Sequence, residues 1–161
     1  QDYQNPAQLL QDINNYITRD CAKTGRFTSM FFLEVDNQSK GLEWVRAGHE
    51  PAKLLRGADQ SFSQLNESGL VLGIDDSYSF TQHSTAPLEP GDILLIGTDG
   101  ISETRNSEGE MFGQERLEQL IAEKSKERSA HIINAIVEEV SNFKGKLNQE
   151  DDITLVVIKS V

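Results

Sequence analysis

The residues best suited to chemistry in this 161-residue chain are carboxylates placed where apolar segments stop. Asp92-Ile93-Leu94-Leu95-Ile96-Gly97-Thr98-Asp99-Gly100 is an apolar run of strand length that ends in an acid between a hydroxyl residue and a glycine. A strand that hands an Asp to a glycine turn presents it from a rigid element, as a metal ligand or catalytic acid requires. A second acidic boundary, Gln149-Glu150-Asp151-Asp152-Ile153-Thr154, opens another apolar run. Two acidic strand ends far apart in sequence can meet in one site at the edge of a sheet. Hard divalent cations such as magnesium and manganese prefer carboxylate oxygens and water, and paired ions polarise a phosphoryl group and lower the pKa of a shared water. Such a site needs several carboxylates, and Asp99, Asp151 and Asp152 are the candidates. On spacing alone the signal is weak, and an ordinary pair of solvated acidic turns is the better reading.

His49, in Gly48-His49-Glu50-Pro51, sits beside an acid and invites a metal or general-acid role. The competing reading is a turn histidine that only makes structural hydrogen bonds. Cys21 is the single cysteine, which rules out an internal disulfide framework and a multi-thiolate zinc site. It has no sequence-adjacent histidine or basic pair to activate it and reads as a half-buried thiol. Its solitude fits a reducing, cytoplasmic setting. The net charge of −11 argues against nucleic acid or an anionic membrane surface as partner. No apolar run approaches the roughly 20 residues of a membrane helix, so no membrane insertion is expected in this segment.

The elements that must position these residues follow from periodicity. Asn5-Pro6 reads as an N-cap with proline in the first turn. Leu9, Leu10, Ile13, Tyr16 and Ile17 form one stripe of a helix that ends between Arg19 and Ala22. Residues 28–35 and 42–47 read as a β-hairpin closed by the turn-rich 36–41, with Trp44 as packing. Shorter strands are predicted at 53–56 and 61–65, a glycine-bracketed apolar segment at 69–73, and a polar strand at 77–86. The turn Leu88-Glu89-Pro90-Gly91-Asp92 feeds the central strand. A polar loop, 101–110, follows Asp99-Gly100 as a rim. Gly113 precedes a helix with Leu117, Leu120 and Ile121, and Ser129 is placed as the cap of another with Ile132, Ile133, Ile136, Val137 and Val140 inward. Residues 153–158 are so continuously apolar that a central strand covered on both faces is expected. One helix, mostly antiparallel strands, two helices and a last strand make an α+β domain over residues 1–161.

Several short motifs then occur in one order: Ala47-Gly48-His49-Glu50-Pro51, Leu88-Glu89-Pro90-Gly91-Asp92, Thr98-Asp99-Gly100-Ile101-Ser102-Glu103, Phe112-Gly113 and Asp151-Asp152-Ile153-Thr154. Together they resemble the bacterial stage II sporulation protein E-type serine phosphatase domain, of the metal-dependent, protein phosphatase 2C-like superfamily. The resemblance spans nearly the whole chain. It implies a four-layer α-β-β-α sandwich with a metal cleft at one end of two sheets, and two manganese or magnesium ions in the complete domain. It implies hydrolysis of phosphoserine or phosphothreonine on a protein, without a covalent phosphoenzyme. Asp99 matches the metal-binding Asp of the Thr-Asp-Gly motif and Asp151 that of the terminal Asp-Asp or Asp-Asn motif. Asp152 is the neighbour that is Asn in many relatives. His49 matches a family landmark and receives no catalytic role. Glu50, Ala52 and Val71 depart from the usual Asn, Pro and Pro.

The family's earlier Asp and Gly-Asp-Val-x-Gly-His-Gly segment has no match here, and Asp2 does not replace it. The chain is therefore expected to correspond to the C-terminal two-thirds of the domain, without its N-terminal strands and helix. Alone it is expected to be inactive, and its exposed strand edges to favour dimers or aggregation. The expected substrate is a phosphorylated anti-sigma-factor antagonist or similar regulator in partner-switching signalling, with a sensory or receiver domain upstream in the parent chain. The alternative is a non-catalytic module of the same fold that binds a regulatory protein. A single calcium loop is disfavoured, since no Asp-x-Asp-x-Asp-Gly pattern is present.

Overall fold

The computed structural model describes residues 5–21 and 24–161; Asp2 and Ala22 lie outside them. In chain order the elements are α1 (Pro6–Cys21), β1 (Met30–Val35), β2 (Leu42–Ala47), β3 (Ala52–Leu55), β4 (Phe62–Leu65), β5 (His83–Thr85), β6 (Ile93–Gly97), α2 (Gln114–Glu123), α3 (Ser129–Lys144) and β7 (Leu155–Lys159). They form two compact units, residues 1–51 with 66–88, and residues 52–65 with 89–161. Each is a helical layer on an antiparallel sheet, so the α+β class is as expected.

In the first unit the sheet order is β1-β2-β5. β1 and β2 form the predicted hairpin, with Leu33 opposite Trp44. Asp36 shapes its loop, accepting the backbone N–H of Gln38 (3.0 Å) and Ser39 (2.6 Å). Trp44 is buried and stacks on Phe31 with ring centroids 5.5 Å apart, a packing role as expected. Helix α1 starts as predicted, the Asn5 side chain accepting the Gln8 N–H at 2.9 Å. Leu10 packs with Val45, Ala47, Leu72 and Phe80.

Tyr16, expected inward, is 71% exposed. Asn14, which is outside the predicted apolar stripe, is buried because both ends of its amide are used. It donates to the Asp75 carbonyl (2.7 Å) and accepts the Gly73 N–H (2.9 Å), tying α1 to the 73–76 loop. Most of the strand predicted at 77–86 does not form, only β5; the apolar segment 69–73 makes the Thr28–Leu72 bridge. Arg46 instead holds that connection through the carbonyls of Asn66, Glu67 and His49. Gly48 is required here: at φ 67° a Cβ would lie 2.1 Å from Val71 Cγ1.

In the second unit the order is β4-β3-β6-β7. Leu55, Ile93 and Leu95 meet Leu117, Ile121, Ile132, Ile136 and Val140 of α2 and α3 in one core. Val137, expected inward, is 50% exposed, since the inward stripe at 132, 136 and 140 advances by whole turns. Ser129 is the first helical residue rather than the cap. Arg128 is the N-cap, and no side-chain cap bond forms. β6 is interior as expected, but among the described strands β7 lies at the edge, with Val156 46% exposed. Its apolar run reflects one face on the helices, through Leu155 and Val157, not burial on both. Lys53 on β3 is 5% exposed and paired with Glu118 of α2 at 2.5 Å.

Candidate functional site

β6 carries an aspartate beyond each end, and they differ in every respect. Asp92, before the strand, is 1% exposed. Its carboxylate accepts the backbone N–H of Gly57 (2.8 Å) and Glu89 (3.0 Å) and pairs with Arg56. Burial pushes its pKa up, but the bonds from Gly57, Glu89 and Arg56 outweigh that and hold it below the usual value. Asp92 therefore fastens the β3–β4 turn to the start of β6.

Asp99, beyond the other end, is exposed. Its backbone carbonyl accepts the Glu103 N–H (2.9 Å) and the Ser102 hydroxyl (3.3 Å), which fixes the turn. Among the described residues no protein group donates to its carboxylate. It is a charge presented on a rigid turn and not consumed by the fold.

The antiparallel β6–β7 register, with Gly97 opposite Leu155, brings the second acidic segment to this same end. The Thr98 N–H donates to the Thr154 carbonyl at 3.1 Å. The Thr98 hydroxyl donates to the Asp152 carbonyl (2.9 Å) and accepts the Thr154 N–H (3.0 Å). Gly100 lies so close to the segment that a Cβ there would sit 2.6 Å from the Asp152 carbonyl oxygen. The two sequence-predicted boundaries are thus brought together, and Asp99, Asp151 and Asp152 are all exposed there. Asp151 also accepts the Asp152 N–H (2.7 Å), which shapes its own turn. A cleft of about 260 Å³ opens alongside, walled by Gly100, Glu103 and Arg105 and by Lys144, Gln149 and Asp151.

His49 belongs to the first unit. Its Nδ1 faces the Glu50 carbonyl at 3.0 Å, so that nitrogen carries the proton. Its ring meets Phe31 edge-on. Cys21 is half-buried, as expected. The 101–110 loop is bonded within itself. Asn106 accepts the N–H of Glu108 and Glu110, and Arg105 bridges to Met111.

A hard divalent cation suits the chemistry of the donors, which are exposed carboxylate oxygens on two segments held backbone to backbone. Among the described residues no group of three or more His, Cys, Asp or Glu is gathered closely enough to hold a metal. The donor type fits, and the set is short of a two-ion cage. Asp92 and the Thr98 hydroxyl are the residues to which sequence reasoning gives no task. Their places in the Leu88–Asp92 turn and in the Thr98-Asp99-Gly100 motif are the sequence signals for them.

The helix-on-sheet units, their strand order and the acidic end of the β6–β7 pair define a protein phosphatase 2C-type fold. A structural likeness to the SiaA-PP2C domain of Pseudomonas aeruginosa supports that class, with a TM-score of 0.83 and 18% identity over 97% of this chain and 61% of that one. The phosphatase domain of SpoIIE from Bacillus subtilis is similar, with a TM-score of 0.66 and 19% identity over 94% of this chain and 64% of that one. The family model for Stage II sporulation protein E (SpoIIE) matches residues 1–161, and the chain belongs to that family. It is 29% identical to the phosphoserine phosphatase RsbU of Bacillus subtilis over 96% of this chain and 45% of RsbU. It is 28% identical to the protein IcfG of Synechocystis over 90% of this chain and 22% of IcfG. The chain thus spans less than half the length of either curated relative.

Proposed function

We propose that this chain is the phosphatase portion of a magnesium- or manganese-dependent enzyme that hydrolyses phosphoserine or phosphothreonine on a regulatory protein. The observation that carries the reading is the joining of the Asp99 turn to the Asp151–Asp152 segment through Thr98 and Gly100. Membership of the SpoIIE family and similarity to a phosphoserine phosphatase support the reaction class. Asp99 and Asp151, with Asp152 beside them, are assigned to hold the cation. When bound, a divalent cation polarises phosphoryl oxygens and lowers the pKa of water. The chain's own contribution is to fix these carboxylates at one sheet end and to offer the adjoining cleft to the protein around the phosphorylated residue. The substrate proposed is a phosphorylated anti-sigma-factor antagonist in bacterial partner switching, met in the cytoplasm. An upstream sensory or receiver domain is proposed to regulate it in the parent chain.

The test is manganese-dependent phosphate release from a serine-phosphorylated protein by the full parent protein. Asp99→Asn is expected to lower the rate at least ~100-fold, the scale of losing one electrostatic contact to a transition state. Activity unaffected by that change would refute the assignment. The short donor set favours a second reading, a module of this fold that binds the regulator without hydrolysing it. Tight binding of the phosphoprotein with no phosphate release, with or without manganese, would establish that reading instead.

A further inference from the structure

We propose that Thr98 is the positioning residue of this site: its hydroxyl sets where the Asp151–Asp152 carboxylates stand relative to Asp99. The inference rests on the functional reading above and adds a residue to it. Residues 148–154 contain no helix or strand; Ile153 packs on the core, but Asp151 and Asp152 themselves are exposed, so apolar packing anchors the segment without orienting its carboxylates. What locates them is a small set of polar contacts. The Gln149 side chain bonds the Asp151 carbonyl within the segment itself (2.9 Å), and the Asp151 carboxylate bonds the Asp152 N–H (2.7 Å). These shape the segment, and Lys144 at the end of α3 donates to the Gln149 side chain (3.2 Å), but none of them ties it to the Asp99 turn.

The tie is made by Thr98. One hydroxyl spans the segment, donating to the Asp152 carbonyl at 2.9 Å and accepting the Thr154 N–H at 3.0 Å. Both capacities of the oxygen are used, and the bonds fall on either side of Ile153. That fixes an orientation as well as a distance. Gly100 makes the approach feasible, because any larger residue would meet the Asp152 carbonyl. Thr98 immediately precedes Asp99, so one short turn carries both a carboxylate and the clamp for the other two. Partners that orient metal ligands typically change metal affinity by about 10–100-fold when removed.

The experiment uses the whole chain, with Thr98→Val, which keeps shape and removes the hydroxyl, and Thr98→Ser, which keeps the hydroxyl. Manganese binding is followed by calorimetry, and amide hydrogen exchange is followed by NMR at Asp152 and Thr154. The valine variant is expected to bind manganese ~10-fold more weakly and to expose the Thr154 amide to faster exchange. The serine variant is expected to restore both to within about 2-fold. Valine binding and exchanging like the native chain, or serine failing as valine does, would overturn the proposal. If neither the native chain nor its full parent protein binds manganese, the metal assignment of Asp99 and Asp151 falls. Exchange at Thr154 then decides the clamp by itself: unchanged protection in the valine variant overturns it, and lost protection with serine rescue upholds it.

Discussion

Replacing Asp92 with alanine removes a carboxylate that is 1% exposed and accepts bonds from Gly57, Glu89 and Arg56. Breaking a buried ion pair by deleting one partner costs about 3–5 kcal/mol. Arg56 keeps 27% of its side-chain exposure, so water recovers part of its loss. The backbone N–H groups of Gly57 and Glu89 recover less, at about 1–3 kcal/mol for each donor left without an acceptor. The lower half of the pair range is therefore expected, about 3–4 kcal/mol. At ~2–4 °C per kcal/mol for a domain of this size, the melting temperature should fall by about 6–16 °C. Thermal and urea unfolding of Asp92→Ala, followed by circular dichroism, measures it. The carboxyl titrates below its ordinary 3.8 in the folded chain. Its stabilisation is therefore fully present above that value and lost as pH falls through the lower folded value. The difference between native and variant should close over that acid range. A loss under about 1 kcal/mol at neutral pH, where at least one bonded buried acceptor has been removed, would refute the reasoning. So would a gap that stays constant through the carboxylate range.

Gly100→Ala places a methyl 2.6 Å from the Asp152 carbonyl oxygen, so one segment must move. Phosphate release by the parent protein is expected to drop ~10-fold or more, as small misplacements at a reacting centre do, with manganese affinity falling alongside. Glu118→Gln leaves Lys53, 5% exposed, without its counter-charge. Urea unfolding should show a loss of about 2 kcal/mol, held below the range for a fully buried pair because Glu118 is 31% exposed. Adding Lys53→Met should recover most of it, since apolar replacement of a buried pair is often neutral.

Much of the fold was legible from periodicity. The Asn5 cap, the β1–β2 hairpin and the inward stripes of α2 and α3 depend on local spacing that a sequence states directly. The failures share a cause. Asn14 is buried because a loop some 60 residues away offers a donor and an acceptor that only an amide can satisfy. Nothing near Asn14 in the chain signals that loop. The apolar segment 69–73 pairs only through the Thr28–Leu72 bridge and is otherwise held by Asn14 and by the closeness of Val71 to Gly48. β7 reads as central because its composition is apolar throughout, but composition does not reveal how many neighbours a strand has. Ser129 has the right chemistry for a cap one residue too late.

The same limits explain the site. That Asp99 ends one strand and Asp151 precedes another could be read from the sequence; that these strands are antiparallel neighbours could not. Once they pair, the end of one and the beginning of the other must coincide, and Thr98 lies opposite Thr154 as a consequence. The pairing equally sends Asp92 to the far end, where its backbone carbonyl takes the Ser160 N–H. Two aspartates seven positions apart on one strand are thereby assigned opposite work. The one that is buried and fully bonded spends its charge on the fold. The one that is exposed, on a turn fixed through its backbone, has no protein donor to its carboxylate among the described residues, and the proposed metal role falls on it for that reason.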